Sequence, residues 1–125
     1  MSAKVLIVDD SALARRMVRM ALEELGHSVE EASDGAQALE RYALNQHDVV
    51  ILDMVMHGMY GLEVLQNFRQ LNPKLPVIIA TADIQRSTRD QVRDAGAAAM
   101  LNKPLRKEEL RELLSLVLSG GTQWT

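Results

Sequence analysis

Five times along the chain, a short run of β-branched and aliphatic residues is followed by a longer stretch with helical spacing of its apolar positions. The runs are Val5-Leu6-Ile7-Val8, Ser28 to Ala32, Val49-Val50-Ile51-Leu52, Val77-Ile78-Ile79-Ala80 and Ala98 to Leu101. The helical stretches cover about residues 11–25, 34–43, 62–71, 86–95 and 106–118. Repeated strand–helix alternation implies parallel strands, because each return crossing is made by a helix. Strands that are apolar throughout belong to a sheet covered on both faces. The expected fold is therefore a three-layer α/β sandwich, a doubly wound parallel sheet of five strands with five helices. It occupies residues 1–119 as one domain and leaves 120–125 as a short C-terminal tail.

Local chemistry supports these boundaries. Ser11 is placed to cap the first helix by accepting a free backbone N–H, and Gly26 to end it in a left-handed conformation. Asp34 is a cap for the second helix, and Pro73 cannot extend the third. The Met- and Gly-rich segment after Asp53 reads as a loop.

Composition excludes several functions. With 47% hydrophobic and 25% charged residues, the 125-residue chain can build a core and stay soluble. Fourteen basic against seventeen acidic residues, a formal charge of -3, argue against a nucleic-acid or anionic-membrane binder. No cysteine is present, which removes disulfides, thiolate metal sites and catalytic thiols and suits a reducing, cytoplasmic setting. No apolar string approaches the roughly twenty residues a membrane span needs.

In an open parallel sheet, sites form beyond the carboxyl ends of the strands, near the point where strand order reverses. The first strand ends at Asp9-Asp10, the third at Asp53, the fourth at Thr81, and the fifth just before Lys103-Pro104. Three carboxylates, one hydroxyl and one ammonium converge on a single rim. The carboxylates repel one another unless a cation neutralises them. An oxygen-only donor set selects a hard cation such as Mg²⁺, which keeps waters for a phosphate oxygen to replace. Lys103 and Thr81 then suit phosphoryl oxygens, and one carboxylate is left as a nucleophile. Taken singly, each residue has a bland reading as a helix cap, a turn residue or a solvated lysine; their occurrence on successive strand ends carries the inference.

With the acid pair Asp9-Asp10, the segment Asp53-Met54-Val55-Met56 followed by Gly61, then Ala80-Thr81-Ala82 and Lys103-Pro104, the chain resembles the CheY-like receiver domain of two-component response regulators, of the stand-alone single-domain type. The likeness spans about residues 4–118. It implies a flavodoxin-like sheet in the order 2-1-3-4-5. It implies phosphorylation of Asp53 by a histidine kinase, a histidine phosphotransfer protein or a small donor such as acetyl phosphate. It further implies Mg²⁺ held by Asp10, Asp53 and the Val55 carbonyl, with Asp9 acting through a metal-bound water. Thr81 and Lys103 would contact the phosphoryl group, and the Lys103–Pro104 bond would be cis. Such a domain is no enzyme beyond its own phosphoryl transfer and autodephosphorylation. Its output is a protein bound at the face of the fourth helix, fifth strand and fifth helix, or a phosphoryl group passed along a relay or held as a phosphate sink. With no second domain seen, a partner-binding switch is expected.

The sequence departs from that family pattern at several positions. His57 and Tyr60 replace a proline and an acid in the loop after Asp53. Met100 stands where an aromatic residue reports phosphorylation, so that readout is expected to be weakened or replaced. Val55 and Asp83 occupy positions that tune dephosphorylation. His27, His47 and His57 read as surface or loop histidines. Met17, Met20, Met54, Met56 and Met59 read as core, the alternative being a docking patch for a kinase domain. Trp124 reads as part of a frayed end, the alternative being a docking anchor. An Asp-nucleophile phosphohydrolase is the remote rival, lacking here the cap insertion and the acid spacing it needs. A flavin binder would want a Ser/Thr-rich phosphate loop, and a P-loop switch a Gly-rich loop ending in Gly-Lys-Ser/Thr.

Overall fold

The computed structural model describes residues 2–56, 59–82 and 85–124, with residues 55, 56, 59 and 60 described in backbone only. The elements are β1 (Lys4–Val8), α1 (Ala12–Glu24), β2 (Ser28–Ala32), α2 (Gly35–Asn45), β3 (Val49–Asp53), α3 (Gly61–Leu71), β4 (Val77–Thr81), α4 (Arg86–Asp94), β5 (Ala99–Asn102) and α5 (Lys107–Leu118). The five strands form one parallel sheet in the order 2-1-3-4-5. The doubly wound architecture and its strand order are as expected.

Alternation along each strand splits the core into two layers, since successive side chains point to opposite faces. Leu6, Val8, Val50, Leu52, Val77, Ile79 and Met100 face one layer with Val64, Leu65 and Phe68 of α3 and Val92 of α4. Val5, Ile7, Ile51, Ile78, Ala99 and Leu101 face the other, with Leu22 of α1 and Leu110, Leu113 and Leu114 of α5. Ser11 caps α1 through the Ala14 amide at 3.2 Å, and Asp34 caps α2 through the Gln37 amide at 2.8 Å. Gly26 follows α1 at φ 93°.

Several expectations are corrected. The strand-end placement of Asp53 and Thr81 is not among them: they are the last residues of β3 and β4, where Asp53 pairs with Ala80 and Thr81 with Asn102. Part of the segment after Asp53 is an antiparallel hairpin, Val55–Met56 against Met59–Tyr60, rather than a loop. Met54 is core, but Met17 and Met20 are 60% and 56% exposed: α1 covers the sheet with Val18, Ala21 and Leu22 instead, joined by Leu25 just past its end. His47 is buried, its Nε2 2.6 Å from Glu30 Oε1 and its ring stacked on Tyr42. The tail is not frayed at Trp124, whose indole Nε1–H donates to the Ala97 carbonyl at 2.7 Å. His57 and Asp83 lie outside the described residues, as do the side chains of Val55, Met56, Met59 and Tyr60.

Candidate functional site

β1 and β3 are neighbours, although α1, β2 and α2 intervene in sequence. Strand order reverses there, and the helices diverge beyond the strand ends to leave a crevice. Asp9 and Asp53 are buried in it and Asp10 is exposed. One carboxylate oxygen from each of Asp9, Asp10 and Asp53 lies within 4.8 Å of the others. The strand ends thus impose a close approach that like charges alone would oppose.

Lys103 enters from the end of β5. Its Nζ is 2.8 Å from Asp9 Oδ2 and 3.2 Å from Asp53 Oδ1. Burial would push its ammonium down. The hydrogen bond to Asp9 and the charges of Asp53 and Asp9 outweigh that and hold it above the ordinary lysine value. The Lys103 amide donates to the Thr81 carbonyl at 2.8 Å, and the Lys103–Pro104 bond is cis. Thr81 itself is 2% exposed at the carboxyl end of β4.

The remaining Asp9 oxygen, Oδ1, accepts from the Ser11 amide at 2.9 Å, and the Asp9 carbonyl accepts from Arg15 Nη1 at 2.6 Å. Arg15 in turn pairs with Glu31 at 2.9 Å, and Arg19 with the other oxygen of Glu31 at 2.8 Å. Arg15 sits on α1 and Glu31 on β2, so no local spacing marks the pair. Gly61 has a similar hidden role. Its amide donates to the Met54 carbonyl at 2.8 Å, and a Cβ there would lie 2.6 Å from the Asp53 carbonyl oxygen. Only glycine lets α3 start this close to the end of β3.

Asp9, Asp10, Asp53 and Lys103 are therefore brought together, with Thr81 on the adjoining strand end. Val55 stands two residues beyond Asp53 in the hairpin. Met100 is buried in the core layer that holds Val92 of α4. The donor set fits a hard divalent cation: it offers oxygen only, three carboxylates, and one exposed side for retained water. Beside the site, a cavity of about 310 Å³ runs between α1 and the β5–α5 connection, lined by Met17, Val18, Pro104 and Leu105 as well as Asp9, Asp53 and Lys103.

Fold and site together define a doubly wound α/β domain with an acidic, cation-compensated centre at its switch point. The response regulator receiver domain model matches residues 5–115. The response regulator MprA of Mycobacterium sp. (strain KMS) is 41% identical over 110 residues, covering 88% of this chain and 48% of that protein. MprA of Mycobacterium tuberculosis (strain ATCC 25177 / H37Ra) is 40% identical over the same share of each. The chain spans about half the length of these curated relatives. Among solved structures, the chemotaxis protein CheY4 of Vibrio cholerae superposes with a TM-score of 0.89 at 34% identity, covering 94% of this chain and 99% of that one. A LuxR-family two-component response regulator from Aurantimonas sp. SI85-9A1 gives 0.91 at 26% identity, covering 98% and 89%. The chain belongs to the response regulator receiver domain family. Receiver domains are the signalling phosphoacceptors of two-component systems, phosphorylated by histidine kinases.

Proposed function

We propose that this domain is a phosphorylation-controlled switch in which Asp53 accepts the phosphoryl group. The observation that supports this most is the pairing of a nearly buried Asp53 carboxylate with Lys103 Nζ at 3.2 Å, beside two further carboxylates. An Asp53 oxygen attacks the phosphorus of a phosphohistidine or an acyl phosphate such as acetyl phosphate. The P–N or P–O bond breaks, its electron pair leaves with the imidazole or acetate, and an acyl phosphate remains on Asp53. Lys103 then pairs with a phosphoryl oxygen, and the Thr81 hydroxyl donates to another.

Asp9, Asp10 and Asp53, with the Val55 carbonyl, would hold Mg²⁺, which when bound supplies the positive charge that offsets the incoming phosphoryl oxygens. The phosphodonor docks on α1, where Leu13, Met17 and Met20 present exposed apolar side chains near the site's rim. Flexible methionines suit an adaptable helix–helix contact. The output partner binds the face of α4, β5 and α5, and the setting is the cytoplasm, where receiver domains ordinarily act. Residues 1–119 carry the phosphoacceptor unit.

Incubation with Mg²⁺ and acetyl phosphate, followed by intact mass spectrometry, tests the reading. One phosphoryl adduct labile to base and hydroxylamine is expected, and it is lost in Asp53→Asn. Absence of the adduct, or its persistence in that variant, overturns the assignment.

A further inference from the structure

The outer edge of β5 pairs with no other strand among the described residues, so its backbone groups need other partners. Residues 120–124 supply them. After α5, Gly120 takes φ 94° and the Gly121 amide donates to the Leu116 carbonyl at 3.0 Å, turning the chain back. The Gln123 amide then donates to the Ala98 carbonyl at 2.9 Å, and Gln123 Oε1 accepts from the Met100 amide at 2.8 Å. Trp124 donates its indole N–H to the Ala97 carbonyl at 2.7 Å. Its ring packs on the layer that holds Met100, Val92 and Ala97, under the Arg89 guanidinium of α4 at 4.8 Å. Gln123 and Trp124 thus bond β5 at Met100 and the Ala97–Ala98 segment that leads into it, beside α4.

β5 is only four residues long, and its other end belongs to the site. Asn102 pairs with Thr81, the Lys103 amide holds the Thr81 carbonyl, and Lys103 Nζ compensates Asp9 and Asp53. A phosphoryl group on Asp53 would offer Lys103 a new partner in competition with Asp9. The tail's hydrogen bonds fit the strand position that accompanies the present Lys103 pairing. Packed elements change between discrete arrangements rather than bending smoothly, so a shift of so short a strand misaligns those bonds.

We propose that Gln123–Trp124 is a latch on the β5 edge and α4: docked while Asp53 is unmodified, released when Asp53 is phosphorylated, and covering until then the face on which a partner binds. The latch rests on the phosphoacceptor reading for its trigger. Its coupling to the site is reciprocal, as linkage requires.

Trp124 is the sole tryptophan, so red-edge-excited emission reports the tail alone. In the intact, unmodified protein the emission is expected to be protected from acrylamide, with Arg89→Ala raising the quenching. With Mg²⁺ and acetyl phosphate, quenching is expected to rise several-fold in step with the adduct counted by mass. Reciprocally, Trp124→Ala is expected to bind beryllium fluoride with Mg²⁺ at least about 5-fold more tightly than the unaltered chain. Free quenching before phosphorylation, or unchanged quenching at near-complete adduct, overturns the latch and leaves the phosphoacceptor intact. Equal beryllium fluoride affinity in the two proteins overturns the coupling. Failure to form any adduct overturns both readings, and the mass spectrum distinguishes that case from the others.

Discussion

Lys103 places one positive charge among three carboxylates, and the consequence can be measured without any phosphoryl donor. Lys103→Gln, in the absence of divalent cations, is expected to lower unfolding free energy by about 2 kcal/mol, the order of a hydrogen bond to a charged group. The pH dependence has a defined sign. The folded-state value of this ammonium is raised, so its contribution is complete below the unfolded lysine value and fades as pH rises through the folded one. From neutral pH upward, the stability gap between the two proteins is expected to hold steady and close only at the alkaline end. A gap that closes near neutrality refutes the pairing. Gly61 is the steric counterpart. With a Cβ forced to 2.6 Å from the Asp53 carbonyl, Gly61→Ala is expected to cost about 1–3 kcal/mol by urea denaturation, as overpacking does. The four charged groups were legible in the sequence because each ends a recognisable strand. Arg15 and Glu31 were not, because their pairing across α1 and β2 exists only once the sheet has formed.

At the scale of elements, what could be read depended on whether its cause was local. Helix starts were local: Asp34 accepts from an amide three residues on, and Asp34→Ala is expected to cost about 1 kcal/mol in urea or thermal unfolding. An unchanged midpoint would count against the cap. Strand ends were partly local, since the inclusion of Asp53 and Thr81 is decided by neighbouring strands. The docked tail was not local at all. Trp124 finds its hydrogen-bond acceptor 27 positions earlier in the chain, and no pattern within the tail points to it. Met17, read from the sequence as core, is left at the surface, while the neighbouring Val18 packs on the sheet. The mean apolar direction of α1 is readable, but the width of the buried stripe is set by what it packs against.

For the molecule as a whole, two apolar layers hold five strand ends in one rim, and the rim concentrates negative charge that folding must overcome. In the unfolded chain, Asp53 is separated from the adjacent Asp9 and Asp10 by a long flexible stretch of backbone; in the folded state one oxygen of each lies within 4.8 Å of the others. A cation that binds the folded site but not the dispersed carboxylates stabilises the protein by mass action, by about 2.7 kcal/mol at a hundred times its dissociation constant. The urea midpoint is therefore expected to rise with the logarithm of Mg²⁺ concentration and to return on chelation, with no matching rise in NaCl of equal ionic strength. Lys103 competes for the same oxygens, so Lys103→Gln is expected to start less stable yet respond at lower Mg²⁺, while Asp53→Asn responds weakly. A midpoint indifferent to Mg²⁺ in the unaltered protein would refute a metal site on these three carboxylates. An unaltered Mg²⁺ response in Lys103→Gln would instead show that ammonium and metal occupy the rim without competing. The sign of that one comparison thus decides whether Lys103 must move when the site is filled, which is also the motion that would reach β5 and the tail.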